Sequence, residues 1–369
     1  MDQKPFRVAI WGPGGIGKCL IRECMKKPEL ELVGVLAYNP EKNGVDAGEY
    51  LGYGTAGVKM TTDKEEIFRL KPDVVLHCPQ VTAATDINSE VTQDLCRMLE
   101  SGINVISAVA YHYPALHGQE FVDKLENACL KGGTSLHSTG INPGIINERW
   151  VVGLTGVCTS LKYIKVQEIS NLTAIPSFNM LVDRIGIGKK VEQKAITTNL
   201  GIRYYTETVK LTCHLLGIDV DSVDDHREYI IADKRFEMEL VTVEPGTVGG
   251  VYMRFFGKKD GKTVFTLEEI FYVDESICPV DVAGAHYYIT VEIEGEPTSL
   301  KAGIGLKASY EKDQSIGDDG TEPAYNATAV TLIQAIPLVC RAKNPGIIYP
   351  YTFAHYTPDL RNFKSPLIA

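Results

Sequence analysis

No stretch of this 369-residue chain approaches the roughly 18 consecutive apolar residues that a membrane span requires. Nor are its cations bunched. The 37 Lys and Arg residues are scattered among 47 Asp and Glu, and the net charge is −10, which argues against nucleic acid or an anionic membrane as the main partner. The nine cysteines form no C-x-x-C pair, are odd in number and lie mostly in apolar runs, so reduced thiols are expected and a disulfide framework is not. The histidines show no H-E-x-x-H or paired-ligand spacing, and no metal site is expected. Residues 1–6 are polar and lead straight into an apolar run. No secretory signal is therefore expected, and a cytoplasmic location is. On that reading the N-x-T triplets at Asn171 and Asn326 are chance matches. There is no internal repeat. The hydrophobic share, 44%, is ordinary for a globular chain, and the length points to about two domains.

Against these absences, one stretch near the start is specific: Val8-Ala9-Ile10-Trp11-Gly12-Pro13-Gly14-Gly15-Ile16-Gly17-Lys18. A buried strand over 7–11 runs into a G-x-G-x-x-G turn, and a helix over 16–27 follows, stopped by Pro28. A strand, a glycine turn and a helix in that order make a dinucleotide site. Gly12 allows the tight turn, Gly14 the approach of a pyrophosphate, and Gly17 the close packing of helix on strand; Gly15 and Ile16 offer N–H groups at the helix start. About twenty residues on, where an NAD-binding fold usually carries Asp or Glu for the ribose 2′-hydroxyl, stands Asn39, with Lys42 close by. A neutral amide and a cation suit a 2′-phosphate, so NADP(H) is the expected cofactor, with NAD(H) still open because Glu41 is within reach of the same ribose.

The rest of the first 140 residues alternates strands and helices. Strands are expected over 31–38, 72–78, 103–109 and 134–137, helices over 85–101 and 119–131, and a loop with a short helix over 44–57. This is a doubly wound parallel sheet of Rossmann type. Cys78-Pro79-Gln80 ends a strand on the edge where such sheets bind ligands. A turn-rich joint, Ser138-Thr139-Gly140-Ile141-Asn142-Pro143-Gly144, then leads into helices over 145–154, 177–185 and 191–216. Strands follow over 161–169, 228–232, 236–243, 248–256, 263–273, 286–293 and 299–309, with a hairpin turn at Lys259-Asp260-Gly261-Lys262. These lack crossover helices, so the second domain is α+β with a mostly antiparallel sheet. A closing helix is expected over 321–343, then an irregular tail. The domains expected are 1–145 for the dinucleotide, 146–321 for substrate and dimerisation, and 322–369 packing back on the first.

Hydride transfer asks the protein for position, charge control and a proton donor. Tyr111, His112 and Tyr113 follow a strand end on the cofactor edge. His112 is the candidate general acid, with Tyr111 or Tyr113 as orienter or alternative donor; the other reading is a packed aromatic turn locked by Pro114. Asn142 is either a partner of the nicotinamide amide or substrate, or a turn residue ahead of proline. Asn171, Phe178 and Met180 are candidates for the substrate pocket or for helix-side packing, and His286 and Tyr287 are sheet residues that could also line a pocket. Aromatic and aliphatic residues outnumber charges among these, which favours a small, partly apolar substrate.

At this point the chain resembles the dihydrodipicolinate-reductase-like superfamily, and within it the branch of 2,4-diaminopentanoate dehydrogenases and native amine dehydrogenases. The likeness is carried by 8–17, 30–48, 104–117, 133–148, 166–188 and 327–346, with Gly140-Ile141-Asn142-Pro143-Gly144 and Gln334-Ala335-Ile336-Pro337 its more particular parts. It implies NAD(P)H-dependent hydride transfer to a C=N or C=O carbon, in a homodimer. Two departures stand out. The His-His…Lys signature of the dihydrodipicolinate reductases is missing from Glu168-Ile169-Ser170-Asn171-Leu172-Thr173-Ala174-Ile175-Pro176-Ser177-Phe178, so their reaction is not expected. The glutamate that amine dehydrogenases carry after the strand at 103–109, which binds the amine or activates ammonia, is replaced by Ala108-Val109-Ala110-Tyr111-His112-Tyr113. Glu168 is the candidate substitute; its other reading is a paired surface carboxylate. The expected activity is amine dehydrogenase-like. Its rivals are an ammonia-independent carbonyl, imine or conjugated-bond reductase and a non-catalytic NADP(H)-binding protein.

Overall fold

A computed structural model describes residues 4–79, 87–109, 111–192, 198–282, 284–350 and 358. The chain divides into two compact units, one of Met1–Ile145 with Tyr325–Pro350 and one of Ile146–Ala324 with Tyr351–Ala369. In the first, β1 (Phe6–Trp11), α1 (Gly15–Lys26), β2 (Leu30–Leu36), α2 (Ala47–Tyr50), β3 (Met60–Thr61), α3 (Lys64–Leu70), β4 (Val74–His77), α4 (Glu90–Glu100), β5 (Asn104–Ser107), α5 (Gln119–Gly132) and β6 (Ser135–Ser138) follow in order. The segment Ile141–Val151, which is non-helical at Asn142, Pro143 and Gly144 and helical beyond them, leads to α6 (Val152–Leu154). The second unit adds β7 (Ser160–Asn171), a π-wound turn at Asn179–Ile185, α7 (Thr198–Leu215), β8 (Ser222–Ile231), β9 (Phe236–Glu237), β10 (Thr242–Val243), β11 (Val248–Lys259), β12 (Lys262–Tyr272), β13 (Tyr287–Glu296) and β14 (Leu300–Leu306). Then α8 (Pro323–Cys340) and β15 (Gly346–Ile348) return to the first.

The expected fold class is borne out. The first unit's sheet runs β15-β6-β5-β4-β1-β2-β3, and all its pairings are parallel. Strand order reverses between β1 and β4, so the carboxyl ends of these two strands form the crevice where such sheets bind ligands. Val8 and Ile10 of β1 and Val74 and Leu76 of β4 are fully buried in one cluster with Leu20 and Ile21 of α1 and Leu332 and Ile336 of α8. Local chemistry ends the helices where the pattern requires. Asp46, Asp63 and Ser89 cap α2, α3 and α4 by accepting backbone N–H bonds, and Gly133 closes α5 in a left-handed conformation.

The second unit's sheet runs β14-β13-β7-β12-β11-β8, with only β7 and β12 parallel. The Asp260-Gly261 turn between β11 and β12 has φ of 50° and 73°, the doubly left-handed geometry of a tight hairpin. Tyr205 of α7 meets Phe255 of β11 with ring centroids 5.3 Å apart, and Val209 fills the space a side chain would need at Gly257. Helix α7 therefore covers the sheet face that holds Ile164, Val166, Leu267 and Ile289.

Several expected elements differ. The run 236–243 is not one strand but the two-residue pair β9 and β10, because Met238 N–H bonds Val241 O and reverses the chain over Glu239 and Leu240. The tail is not wholly irregular: β15 joins the sheet edge beside β6, where His137 Nδ1 lies 2.7 Å from Ile348 O. Strand β3 was not expected; its two residues are held by the edge of β2 rather than by a pattern of their own. Parts of the helices expected over 85–101 and 191–216 lie outside the described residues, as do Gln80, Ala110 and most of the tail. Among the described residues α8 alone is long and apolar enough to cross a membrane by length and composition, an exception to the expectation that no stretch qualifies. Half of it is buried, and Ala329, Leu332, Ile333, Ala335, Ile336 and Val339 sit in the core of the first unit.

Candidate active site

The glycine turn leaves the end of β1 at the crevice. Gly12 has φ of 104°, and a Cβ there would stand 2.7 Å from Cys78 O. A Cβ at Gly17 would stand 2.1 Å from Gly12 O, so α1 can lie this close to the turn only with glycine at that position. At Gly14 a Cβ would meet nothing within 4 Å, and the residue is exposed. Helix α1 starts on Gly14 with no side-chain cap and no acidic residue in its first turn. An uncapped helix start behind an open glycine is a cradle for a pyrophosphate, and the residues present fit a dinucleotide. Gly15 is covered by the Tyr325 ring of α8. Cys78 donates its thiol to Gly12 O at 3.2 Å, and burial pushes that thiol up to about 12, so it supports the turn as a neutral group.

At the end of β2, Asn39 accepts Glu41 N–H at 3.0 Å and so caps the short turn Pro40–Lys42. Asn39 Nδ2 lies 3.3 Å from Glu41 Oε2. Lys42 Nζ reaches back to Pro13 O at 3.4 Å, inside the glycine turn, and stands 4.6 Å from the centre of the Tyr50 ring. Lys18 Nζ, from the first turns of α1, stands 5.0 Å from the same ring. Asn39, Lys42, Cys78, Pro79 and the glycines are thus brought to one edge.

A buried polar network underlies the next two strand ends. His77 Nδ1 lies 3.0 Å from Ser107 Oγ, and burial pulls the imidazole down to about 3, so it is neutral. Ser107 and Ser138 both donate to Val109 O, at 3.0 and 3.2 Å, and fix the start of the 108–113 turn. Tyr111 is turned inward: its hydroxyl lies 2.9 Å from Thr92 Oγ1 of α4, its ring stacks on Phe121, and burial pushes its pKa up. That is the environment of an anchor for the turn. His112 is also buried, while Tyr113 and Asn142 are partly exposed.

In the second unit the central strands carry acids on an apolar face. Glu168 of β7 and Glu269 of β12 are paired in register, and Ile289 of β13 stands opposite Glu168. Both carboxylates are buried, so the surface-carboxylate reading of Glu168 is overturned. Tyr287 donates its hydroxyl to Glu168 Oε1, and Tyr205 of α7 is hydrogen-bonded to Glu269. Burial and the charge of Glu168 push Tyr287 well up; burial and the charge of Glu269 do the same for Tyr205. Both phenols therefore remain donors to the carboxylates. Buried Glu148 and Glu207 add to the field at Tyr204. A concentration of carboxylate in an apolar setting is suited to a cation or a mobile proton.

Asn171 ends β7 as a turn residue: its Oδ1 accepts Thr173 N–H at 2.9 Å and Thr173 Oγ1 at 2.7 Å. Phe178 is exposed and Met180 partly so, at the start of the π-wound turn. His286 Nε2 lies 3.2 Å from Thr173 Oγ1, and its Nδ1 lies 3.7 Å from Glu322. Sequence reading missed Glu269, Tyr205, Lys18 and Tyr50. One signal was available for Glu269: in Phe265-Thr266-Leu267-Glu268-Glu269 it sits at even spacing from Phe265 and Leu267, on the apolar side of a strand.

Residues 6–106 match the family described as dihydrodipicolinate reductase, N-terminus, and residues 145–321 match the 2,4-diaminopentanoate dehydrogenase C-terminal domain. An amine dehydrogenase of Streptomyces virginiae is 27% identical over 357 residues, covering 92% of this chain and 93% of that protein. A 2,4-diaminopentanoate dehydrogenase of Acetoanaerobium sticklandii is 26% identical over 275 residues, covering 69% of this chain and 73% of that protein. The solved structure of an amine dehydrogenase from Mycobacterium smegmatis matches with a TM-score of 0.72 at 20% identity, over 96% of this chain and 98% of that one, a likeness of fold. The resemblance drawn from the sequence is borne out.

Proposed function

We propose, from the premise that this chain is an NAD(P)-dependent oxidoreductase of the dihydrodipicolinate-reductase-like superfamily, that it transfers hydride to or from the carbon of a C=N or C–N bond in a small, partly apolar amine. The dinucleotide supplies or accepts the hydride at its nicotinamide when bound; the chain's own residues position, desolvate and move protons. Gly12, Gly14, Gly15, Ile16 and Gly17 would hold the pyrophosphate, Cys78 and Pro79 would flank it from the neighbouring strand end, and Asn142 would serve as hydrogen-bond partner of the nicotinamide amide. Asn39 at the position where an NAD-binding fold usually carries Asp or Glu, with Lys42 beside it and Glu41 engaged by Asn39, favours NADP(H) over NAD(H). The observation that carries the amine reading is the buried Glu168, on a central strand beside Glu269 and oriented by Tyr287. It takes the place of the glutamate that is missing from the 108–113 turn, binding an ammonium or amine. His112 is the general acid and Tyr113 the alternative donor; Tyr111 orients them through its anchor on Thr92. Asn171, Phe178 and Met180 line the substrate pocket. The domains are 1–145, 146–321 and 322–369, and the protein works as a homodimer in the cytoplasm.

One observation favours a second reading. The described part of the 108–113 turn carries no carboxylate, which suits an ammonia-independent carbonyl or imine reductase. Oxidation of NADPH by a panel of small ketones, with and without ammonium, separates the two. The amine reading expects turnover that requires ammonium and falls by about 100-fold or more in Glu168→Gln. Turnover indifferent to ammonium, with Glu168→Gln unchanged, supports the reductase instead.

A further inference from the structure

Two lysines stand beside the glycine turn and have no part in the pyrophosphate cradle. Lys18 extends from α1 and Lys42 from the capped turn after β2, and both ammonium groups lie over one ring, that of Tyr50, at 5.0 and 4.6 Å from its centre. Cations so placed are attracted to the ring, but they also repel each other. The chain has acid to spare, at 47 Asp and Glu against 37 Lys and Arg, and many of its lysines are ion-paired: Lys64 to Glu90 and Asp94, Lys258 to Asp224, Lys301 to Glu292, Lys307 to Asp313. Among the described residues neither Lys18 nor Lys42 has a carboxylate partner. Glu41, the nearest acid in sequence to Lys42, is engaged by Asn39 through both its backbone N–H and its side chain.

The ring between the lysines is itself fixed. Asp46 accepts N–H bonds from Gly48 at 2.8 Å, Glu49 at 3.2 Å and Ala56 at 2.8 Å, which caps the helix carrying Tyr50 and ties it to the following loop. Those backbone donors hold the Asp46 carboxyl below its ordinary range, so the cap stays charged at neutral pH. The same Lys42 ammonium donates to Pro13 O, 3.4 Å away in the glycine turn itself. One ammonium from α1 and one from the turn after β2, neither with a carboxylate partner among the described residues, meet at one fixed ring and make a socket for a small dianion.

We propose that Lys18, Tyr50 and Lys42 form a clamp for the 2′-phosphate of NADP(H), and that this clamp rather than Asn39 sets the cofactor preference. Lys42 and Lys18 each donate to the phosphate oxygens. Tyr50 spaces them and keeps Lys18 from turning to the pyrophosphate. Asn39 acts one step back, by capping the turn that carries Lys42. The clamp rests on the NADP(H) reading above and assigns that reading to residues from α1 and α2.

The test is calorimetric binding of NADPH and NADH to the wild type, Lys18→Ala, Lys42→Ala, Tyr50→Leu and Tyr50→Phe, with the thermal midpoint of each variant read alongside. Removing either lysine is expected to weaken NADPH by about tenfold or more and NADH by less than twofold. Tyr50→Leu should lose part of the preference and Tyr50→Phe keep it, since a phenyl ring retains the cation-binding face. The wild-type preference should also shrink as salt rises. If the wild type prefers NADPH and both lysine variants keep the ratio, the clamp is wrong while the cofactor reading stands. If Lys18→Ala weakens both dinucleotides equally, Lys18 serves the pyrophosphate and the clamp is overturned. A wild type that binds NADH as tightly as NADPH overturns the cofactor reading and the clamp together.

Discussion

The two units build their chemistry from opposite materials. The first works with backbone: glycines that admit no side chain, an uncapped helix start, and carbonyls such as Pro13 O and Gly12 O that tether side chains back to the turn. The second works with side chains, and with charged ones placed where apolar residues belong, as Glu168 and Glu269 on the face shared with Val166, Leu267 and Ile289. A backbone site is specified by residues contiguous in sequence, because the chain must pass through it. A side-chain site gathers residues from strands far apart. The contrast implies that damage to the first unit's site is geometric and all-or-none, whereas damage to the second is electrostatic and graded.

The largest effect should come from Gly17→Ala. Its methyl would stand 2.1 Å from Gly12 O, which only a backbone shift can relieve. Dinucleotide affinity should fall by more than about 100-fold, with a lowered thermal midpoint. Gly14→Ala sharpens the comparison: the protein offers its methyl open space, so the midpoint should hold while dinucleotide binding still falls. Calorimetry and thermal melts on both variants read this directly. Equal destabilisation by the two would show that both glycines serve folding rather than the ligand.

The same contrast explains what could be read beforehand. The turn, its strand and its helix were legible because spacing alone encodes them. The parallel and antiparallel sheets followed from the presence or absence of crossover helices. Glu168 was visible as a residue but not as a buried one, since its burial depends on α7 lying across one face of a six-stranded sheet. Lys18 looked like an ordinary exposed helix residue; only the placement of Tyr50 by the Asp46 cap gives it a role. The inward turn of Tyr111 was hidden for a similar reason: its anchor, Thr92, comes from the preceding helix. Strand β15, three residues long, owes its conformation to a sheet edge and has no pattern of its own.

The next effect concerns pH. His77 is neutral in the fold, with its pKa pulled from 6.5 to about 3 by burial. Above about 6.5 neither state binds this proton. Between about 6.5 and 3 only the unfolded chain does, so stability should fall with pH by about 1.4 kcal/mol for each unit; below about 3 both states bind and the contribution levels off. His77→Gln removes that one proton, and its stability should fall less steeply than the wild type's between pH 6 and 4. Denaturant unfolding at stepped pH measures the difference in slope. Parallel slopes would mean that His77 is protonated in the fold.

A smaller, graded loss is expected in the second unit from Tyr287→Phe. The change keeps the ring but takes a donor from buried Glu168. A buried acceptor that loses its partner costs about 1–3 kcal/mol, so the denaturation midpoint should drop modestly. Turnover should fall further than cofactor affinity does, because the carboxylate loses its orientation while the glycine turn is untouched. A variant that loses dinucleotide binding as strongly as Gly17→Ala would break the division of labour between the units.

The smallest effect should come from Asn39→Ala. Asn39 makes no charge of its own; it accepts Glu41 N–H and so holds the turn Pro40–Lys42. Loss of such a cap typically costs about 1 kcal/mol, and on an exposed turn most of that appears as local fraying rather than a shift in global stability. The fraying frees Lys42 from its position by Pro13 O and frees Glu41 from Asn39 Nδ2, bringing a negative charge nearer the ribose end of the site. Both changes act against a phosphate. NADPH affinity should therefore fall by a few-fold, NADH affinity should hold, and the midpoint should move by little. Asn39→Asp keeps the cap, since a carboxylate accepts the same N–H, yet adds the charge that an NAD-preferring site carries. It should reduce NADPH affinity without fraying the turn. If Asn39→Ala and Asn39→Asp alter the two dinucleotides alike, the turn is reading the ribose itself and not the charge attached to it.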